Sequence, residues 1–400
     1  MDLPMLPVGG RIRHHRERLH RTQAAIAGLC GITEDYLSQI ERGLKQPSHT
    51  VLVRIATELD ISVAALLDGA EVVRPRAHAS AGTDVVQAML RPCSKLADRS
   101  PAPAASLRSR VNDAWGIWQS SSRRFTEADA LLPSLITDVE IAVRAPSTEA
   151  VERRAILRAA ADLYGLLRSY CRRAGRHDLS LMAADRARRA AQDADDPLRI
   201  AAAAWNLGHA LLSQAGDEQA AADVALSAAE ELRRELTTPD AVAVRGALEL
   251  VAVVADARTH RAWAARDRLN QRVVPLAGQA GEGNVQWTVF GPTNTDLHAV
   301  SVEMLDGDAV EGLRLADQVD IARLPSRERQ FTFGLEVARC YDLRREDAAV
   351  LVHLLELEDL APEDLERSPL ARELVASLVR RARPAFRRQA TALAERLGLL

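Results

Sequence analysis

A short predicted helix carries four polar side chains on one exposed face: Glu34, Asp35, Ser38 and Gln39. A glutamine amide can form two hydrogen bonds with the edge of an adenine, and a serine hydroxyl can bond to either kind of base. A carboxylate can accept a hydrogen bond from the amino group of cytosine. These residues are therefore candidates for recognising base edges in a DNA groove. For the two acids an alternative stays open, because carboxylates near a helix N-terminus also stabilise the helix electrostatically.

Residues around this helix are candidates for contacts with DNA phosphates. Gln23 precedes it, Arg42 and Lys45 follow it, and Thr33 at its predicted N-cap is grouped with the DNA-binding residues. The first predicted helix is strongly basic, and four of its arginines are further candidates: Arg11, Arg13, Arg16 and Arg18. For at least half of these arginines a solvated helix face is the alternative.

Two closely crossing helices must position these side chains. Gly31 provides a sharp turn that a residue without Cβ adopts at little cost, and Ala27 is small where the helices meet. The apolar residues expected to join them are Ile26, Leu29, Leu37 and Ile40. Helices are predicted over residues 10–19, 23–30, 33–42, 48–59 and 61–67, with N-caps at Thr33 and Ser48. The pattern indicates a compact five-helix domain that contains a helix-turn-helix.

Several short motifs of this segment resemble the Cro/C1-type (XRE) DNA-binding family. The matching positions are Thr22-Gln23, Gly31, Leu37-Ser38, Ile40-Glu41, Gly43 and Pro47-Ser48. The resemblance covers about the first 70 residues and departs at His20-Arg21, where the family usually has Gly-Leu. It implies binding to a double-stranded DNA operator, with the second helix of the motif in the major groove.

The rest of the chain has the composition of packed helices. Of the 400 residues 47% are hydrophobic but only 4% are aromatic, and the net charge is −3. We predict an all-α protein with three parts: an XRE domain at 1–70, a linker at 71–105 with one short helix near 85–90, and an α-solenoid at 106–400.

Internal repetition supports the solenoid. Leu166, Tyr170, Ala184 and Ala187 recur 41 residues later as Leu207, Leu211, Ala225 and Ala228, with Gly175 and Gly216 at equivalent turns. An earlier unit also matches, since Arg123-Arg124 corresponds to Arg172-Arg173. Weaker units cover residues 242–276, 284–324 and 330–360, with a terminal piece from 370. The units resemble tetratricopeptide (TPR)-type helix pairs, although their period is longer than the ~34 residues of that class.

Two further motifs strengthen a resemblance to a group of actinobacterial transcriptional regulators: Phe290-Gly291-Pro292-Thr293-Asn294 and Leu324-Pro325-Ser326-Arg327-Glu328-Arg329. In that group the repeat array is the half that senses a signal or binds a partner. The resemblance therefore implies a peptide, small molecule or protein bound in the groove of the solenoid.

Polar residues on the first helices of the repeats are candidates for ligand contact: Tyr170, Asn206, His209, Asn294, His298 and Arg329. Asn206 and His209 are one helical turn apart, as are Asn294 and His298, so each pair shares a helix face. The alternative for any of them is a buried polar group that a neighbouring backbone satisfies. The five tryptophans are expected to pack between helices.

Other classes of chemistry are not expected. The four cysteines lack metal-ligand spacing, so neither a zinc site nor a disulfide framework is predicted, and no cofactor is expected. Sequence motifs of hydrolases, nucleotide-binding proteins and metalloproteases are missing, and Gly281-Glu282-Gly283-Asn284 is interpreted as a loop, so we do not expect an enzyme. No apolar run has the length of a signal peptide or a membrane span, which favours a cytoplasmic protein.

Together these features predict a sequence-specific DNA-binding transcriptional regulator that acts as a homodimer. The alternative is an adaptor whose repeats bind a partner protein, with DNA binding secondary. The polar face of the third helix favours the first interpretation.

Overall fold

The structure is a computed structural model that describes residues 8–18, 21–59, 63, 66, 83–90, 100–146 and 149–400. It divides into two units, residues 1–80 and residues 81–400. The described parts of both contain helices and no strand, which confirms the predicted all-α class.

The described N-terminal unit contains helices α1 (Val8–Arg18), α2 (Gln23–Leu29), α3 (Glu34–Glu41) and α4 (His49–Glu58). The two N-caps predicted from the sequence are confirmed. Thr33 Oγ1 accepts a hydrogen bond from Tyr36 N at 3.2 Å, and Ser48 Oγ accepts one from Val51 N at 3.4 Å. Most of the predicted fifth helix, residues 61–67, lies outside the described residues.

Close approach of the helices fixes the N-terminal core. Ile26, Leu37 and Ile40 are buried, and a Cβ on Gly9 would lie 1.9 Å from Ile40 O, so α1 packs directly on the end of α3. The expectation that Leu29 joins this core is wrong, since its side chain is 54% exposed. The buried face of α2 carries Ile26, Ala27 and Cys30, and Leu29 points away from that face.

Most helices of the C-terminal unit pack against the next helix along the chain. They are α5 (Thr83–Leu90), α6 (Ala104–Ser120), α7 (Arg124–Arg144), α8 (Ala150–Arg173), α9 (His177–Asp193), α10 (Pro197–Leu211), α11 (Glu218–Glu235), α12 (Pro239–Arg258), α13 (Ala262–Arg268), α14 (Val274–Ala280), α15 (Pro292–Asp306), α16 (Ala309–Ala316), α17 (Arg327–Leu343), α18 (Asp347–Leu360), α19 (Pro362–Arg367), α20 (Pro369–Arg381) and α21 (Pro384–Arg396). A π-helical turn, Leu269–Val273, joins α13 to α14.

Small residues allow the helix pairs of the solenoid to pack closely. Ala183, Ala187, Ala221 and Ala225 are fully buried between neighbouring helices. Gly175 lies in the turn after α8 with a φ of 74°. Gly216 takes the same role after α10 with a φ of 97°. The predicted equivalence of these two turns is confirmed.

The short helix α5, which the sequence places in the linker, packs on the C-terminal unit. Val85 and Met89 are buried one turn apart in the same core as α6 to α9. Met89 Sδ lies 3.7 Å from Cys171 Sγ, and Met89 O accepts a hydrogen bond from Arg186 Nη1 at 3.3 Å. The C-terminal unit therefore includes α5, and its first repeat helix, α6, begins at Ala104.

The solenoid closes on itself, which the repeat pattern does not predict. Arg124, at the start of α7, forms buried ion pairs with Glu328 and Asp364 near the C-terminal end. Phe125 N donates a hydrogen bond to Glu363 Oε2 at 2.7 Å, and Arg327 Nε donates one to Ser120 O at 2.9 Å. The first hairpin therefore contacts α17 and α19 across the interior of the array.

Candidate functional site

The exposed face of α3 carries the residues predicted to contact bases. Thr33, Glu34 and Asp35 are exposed at its N-terminus, and Ser38 and Gln39 are half-buried. Gln39 Nε2 donates a 2.6 Å hydrogen bond to Asp35 Oδ2 one turn earlier. One donor of the glutamine amide is therefore engaged within the helix, and only its remaining donor and its oxygen are free of this contact.

The two cations predicted to contact phosphates lie at the C-terminal end of α3. Arg42 is exposed and its Nε donates a hydrogen bond to Ser38 O at 3.3 Å. Lys45 is also exposed, with its Nζ 5.5 Å from the centroid of the Tyr36 ring. Both charges remain available to solvent and hence to a phosphate backbone.

A buried ion pair ties together α1, α2 and α3. Arg16 Nε donates to Glu41 Oε1 at 2.7 Å and Arg16 Nη2 donates to Glu41 Oε2 at 2.9 Å. Gln23 Nε2 donates to the same carboxylate at 2.7 Å. The hydrogen bonds that Arg16 donates to Glu41 raise the pKa of Arg16. Gln23, a predicted phosphate contact, thus has its amide N–H bound within the domain.

The basic residues of α1 divide into two groups. Arg11 and Arg16 are buried, and Arg11 Nη1 donates a hydrogen bond to Leu66 O at 2.8 Å. Arg13 and Arg18 are exposed, and Arg13 forms a 2.8 Å ion pair with Glu17. One groove brings together six of the twelve predicted DNA-binding side chains. Its lining is Arg13, Arg16, Glu17, Gln23, Glu34, Ser38, Glu41 and Arg42.

In the C-terminal unit, Asn206 faces the interior but its polar atoms are engaged there. Its Oδ1 accepts a 2.7 Å hydrogen bond from Arg168 Nε, and its Nδ2 donates to Ala202 O at 3.0 Å. The guanidinium of Arg168 lies 5.1 Å from the Trp205 ring. His209, one turn further along α10, packs edge-on against Trp205 at 4.6 Å.

The Phe290–Asn294 motif fixes the start of α15. The Phe290 ring packs directly on the backbone of Gly246. A Cβ on Gly246 would lie 1.9 Å from Cζ of this ring, so the contact needs a glycine. Glu282 Oε1 accepts hydrogen bonds from Thr293 N at 2.9 Å and from Thr293 Oγ1 at 2.6 Å. Because the helix begins at this point, Asn294 is directed into the interior, where its side chain is only 1% exposed.

His298 follows Asn294 by one turn of α15. Its Nδ1 contacts Asn294 O at 2.8 Å. Burial, together with the charge of Arg329, lowers the pKa of His298 to about 3. Its ring is therefore neutral near pH 7, and Nδ1 is the nitrogen that carries the proton and donates to the carbonyl.

His209 belongs to the same electrostatic environment. Burial and the nearby charges of Arg168, Arg172 and Arg329 hold its pKa well below the ordinary range. The structure thus brings together four of the predicted ligand residues, namely Asn206, His209, His298 and Arg329, with Asn294 one turn before His298.

Tyr170 does not belong to this cluster. Its ring packs against Trp118 and Phe125, with centroid distances of 5.6 and 5.9 Å, and its hydroxyl donates a hydrogen bond to Asp129. The side chain is 1% exposed. Because both its ring and its hydroxyl are satisfied in the core between α6, α7 and α8, nothing remains for a ligand to contact.

The loop before α15 crosses to the first repeat. Trp287 stacks on Trp115 at a centroid distance of 5.2 Å, and Trp287 O accepts a hydrogen bond from Gln119 Nε2 at 3.1 Å. Asn284 Nδ2 donates to Gln119 Oε1 at 2.6 Å. Trp287 has a φ of 63°, a conformation that non-glycine residues rarely adopt. We call residues 284–289 the strap, because they cross a small cleft that is lined by Gly165 and Asn206.

One expectation about aromatic packing is wrong. Trp263, near the start of α13, is 73% exposed instead of packed between helices. Apart from Arg329, the charged residues of the interior are not among the predicted ligand contacts. Arg172 and Arg173 appeared in the sequence only as a mark of the repeat, and Glu328 only as part of the Leu324–Arg329 motif.

Comparison with known proteins identifies the N-terminal unit. Residues 7–68 match the family described as a helix-turn-helix domain, so this unit is a helix-turn-helix domain. A Mycobacterium tuberculosis protein described as an uncharacterized HTH-type transcriptional regulator is 40% identical over 67 residues, which are 17% of this chain and 48% of that protein. SinR, an HTH-type transcriptional regulator of Bacillus subtilis, is 37% identical over 62 residues, 15% of this chain and 56% of SinR. The chain therefore spans about half the length of these relatives.

Two solved structures show a distant likeness over most of the chain. The apo form of ComR from S. thermophilus has a TM-score of 0.36 and 11% identity, with 93% of this chain and 98% of that chain covered. PlcR of Bacillus thuringiensis, in complex with the peptide PapR7 and DNA, has a TM-score of 0.26 and 12% identity, with coverages of 88% and 98%. At such TM-scores neither likeness indicates what this chain binds.

None of the described helices combines the length and apolar character needed to cross a bilayer. Among the described residues no group of three or more His, Cys, Asp or Glu side chains is arranged to hold a metal ion.

Proposed function

We propose that this protein is a sequence-specific DNA-binding transcriptional regulator whose C-terminal solenoid binds a small molecule, a peptide or a partner protein. The main support is the polar face of α3. Thr33 caps the N-terminus of this helix, and the exposed cations Arg42 and Lys45 follow its C-terminus. This face belongs to a domain that matches the helix-turn-helix family. The names of the two relatives, both HTH-type transcriptional regulators, support the same function.

The side chains of the N-terminal unit divide by role. Ser38 and Gln39 are assigned to base edges, since they lie on the exposed face away from the buried Leu37 and Ile40. Glu34 and Asp35 lie at the N-terminus of α3, where they also favour the helix electrostatically.

Phosphate contacts are assigned to exposed cations only. Arg13, Arg18, Arg42 and Lys45 meet this condition. Gln23 and Arg16 are assigned to the internal bond with Glu41, because their donors already reach its carboxylate.

A homodimer is part of the proposal. One recognition helix contacts too few base pairs for specificity in a genome, and helix-turn-helix proteins commonly bind two half-sites about 34 Å apart. The array of paired helices offers surface for the contact between two copies.

Selection of bound duplexes from a random library by the full chain tests this function. We expect an enriched sequence with two related half-sites. The double variant Ser38→Ala/Gln39→Ala should lose the enrichment but retain weak binding to any duplex. Gln271→Ala, which changes an exposed glutamine of the C-terminal unit, serves as the matched control. If no sequence is enriched by the unaltered chain, the adaptor function is favoured instead.

A further inference from the structure

The interior of the solenoid holds more positive charge than its carboxylates neutralise. Arg124 and Arg168 are buried there, and Arg172 and Arg329 are partly exposed. Glu328 is the central acid, and its two oxygens are already taken. Arg173 Nη2 lies 2.7 Å from Glu328 Oε1, and Arg124 Nη1 lies 3.2 Å from Glu328 Oε2. Burial alone would raise the pKa of Glu328, but Arg173 and its neighbours hold it well below its ordinary range. Glu328 is therefore ionised, and both of its oxygens are occupied by Arg173 and Arg124.

Three further guanidinium groups of the same region lack a full ionic partner. Arg168, 2% exposed, bonds only to the neutral amide of Asn206. Arg172 Nη2 approaches Glu328 no closer than 3.8 Å, beyond hydrogen-bond distance, and its buried Nε has no hydrogen-bond partner. Within the described residues, Arg329 forms neither a side-chain hydrogen bond nor an ion pair.

The remaining groups of the region do not supply the missing negative charge. Asp364 is bound to Arg124. Burial raises the pKa of Glu336 to about 7, so this acid is only partly ionised at neutral pH. His209 and His298 are neutral and offer ring nitrogens, and the buried Asn294 Oδ1 has no partner.

Burial of unpaired charge is costly, and partners that pair and hydrogen-bond the charge remove much of that cost. The planar guanidinium group matches the geometry of carboxylate and phosphate oxygens and can bind them through two parallel hydrogen bonds. An oxyanion between Arg168, Arg172 and Arg329 would therefore satisfy donors that the protein itself leaves open.

We infer that this region, which we call the arginine cluster (Arg168, Arg172 and Arg329), binds a small oxyanion that carries at least two negative charges. The chemistry is that of an organic di- or tricarboxylate or of a phosphate ester. This inference rests on the proposed function, because it assigns the class of the ligand that the solenoid senses.

The closed form of the solenoid favours a small ligand over an extended peptide. Arg124, paired with Glu328 and Asp364, holds the first hairpin against the C-terminal helices. The strap covers the small cleft beside Asn206, where Trp287 stacks on Trp115. An extended chain would have to displace these contacts, whereas a small anion only has to enter between the side chains.

Isothermal calorimetry on the full chain without DNA tests the inference with two probes, citrate for carboxylates and pyrophosphate for phosphates. Ionic strength is held constant with sodium chloride. We expect saturable binding of at least one probe and a rise in the melting temperature of the C-terminal unit. Binding of citrate alone assigns a carboxylate ligand, and binding of pyrophosphate alone assigns a phosphate ligand. Equal small effects of both probes and of chloride would overturn the inference.

Arg329→Gln is the diagnostic variant, since it breaks no ion pair of the described structure. It should weaken binding of the active probe about tenfold or more. Without a probe it should melt at the same or a higher temperature than the unaltered chain, because a partly buried cation without an ion pair among the described residues is removed. Arg388→Gln removes the same charge from an exposed position of α21 and should change neither property. Unchanged probe binding by Arg329→Gln would contradict the site.

The two proposals fail in different ways. If the chain enriches a DNA sequence but neither probe binds, the oxyanion site is wrong and the proposed function stands. If a probe binds through Arg329 but no DNA sequence is enriched, the site stands and the proposed function fails.

Discussion

The side-chain amide of Gln39 donates a 2.6 Å hydrogen bond from Nε2 to Oδ2 of Asp35, one turn earlier on the exposed face of α3. Bidentate recognition of adenine by glutamine needs the amide oxygen and one amide N–H together. Asp35 accepts from one of the two amide N–H groups, which leaves the second N–H and the oxygen for a base, and it holds the side chain in a defined orientation. The pair links a residue assigned to base recognition with a residue at the helix N-terminus.

The first prediction concerns Gln39. Gln39→Ala should weaken binding to the selected duplex by about 1–3 kcal/mol and relax the preference at one base pair. Binding to random duplexes should hardly change, because a base contact adds nothing without its base. Fluorescence anisotropy with both duplexes at one salt concentration measures this difference. An equal loss on both would show that Gln39 does not recognise a base.

The second prediction separates phosphate contacts from base contacts. Lys45→Ala should weaken binding to all duplexes alike and reduce the slope of log affinity against log salt by about 1. Gln23→Ala should leave that slope unchanged, since the side chain donates to Glu41 inside the domain. Titrations at several salt concentrations give the slopes. A slope for Lys45→Ala equal to that of the unaltered chain would exclude a phosphate contact.

The third prediction concerns the buried ion pair of the N-terminal unit. Arg16→Gln leaves the carboxylate of Glu41 buried without its cation and should destabilise this unit by about 3 kcal/mol. Arg13→Gln is the matched control, because the pair of Arg13 with Glu17 is exposed and should contribute little to stability. Hydrogen exchange of the amides in α3 reports the difference. Equal protection in both variants would show that the buried pair adds no stability.

The sequence predicted the elements of the N-terminal unit because the signals are local. Thr33 and Ser48 each cap the helix that follows within three residues, and Gly31 has the left-handed φ of 65° that its turn requires. No local signal distinguished Arg16 from its exposed neighbour Arg13. Arg16 bonds to Glu41, which is 25 residues away in sequence, so its burial depends on how α1 crosses α3.

The interior of the solenoid was predicted less well for the same reason. The spacing of Asn206 with His209 and of Asn294 with His298 correctly placed each pair on one helix face. It did not indicate that Arg168 would bind the amide of Asn206 from the preceding repeat. The position of Tyr170 corresponds to that of Leu211 one repeat later, because the core of each repeat needs a large side chain there.

The fourth prediction is the oligomeric state. We expect light scattering at micromolar concentration to give about twice the chain mass of 43.6 kDa, and the dimer should also be the species that binds the selected duplex. Two copies allow the recognition helices to reach two half-sites on one side of the duplex. A mass of one chain, both free and on DNA, would contradict the dimer.

The fifth prediction is a pH dependence that arises from Glu336. This side chain accepts a 2.6 Å hydrogen bond from Ser301 Oγ, and burial raises its pKa to about 7 although Arg329 and Arg258 lie near it. An acid whose pKa is higher in the folded than in the unfolded state stabilises the fold fully below the unfolded pKa. This contribution is lost as the pH rises through the folded pKa. Stability of the C-terminal unit should therefore fall between about pH 5 and pH 8.

Glu336→Gln should remove this dependence, because the amide does not ionise and still accepts the hydrogen bond from Ser301. One pKa unit corresponds to about 1.4 kcal/mol, so the variant should gain up to about 3 kcal/mol over the unaltered chain by pH 8 and much less at pH 5. Glu395→Gln changes an exposed carboxylate of α21 and serves as the control. Urea unfolding at both pH values measures the differences. A gain that is the same at pH 5 and pH 8 would mean that Glu336 does not titrate in this range and is held ionised by its two arginine neighbours.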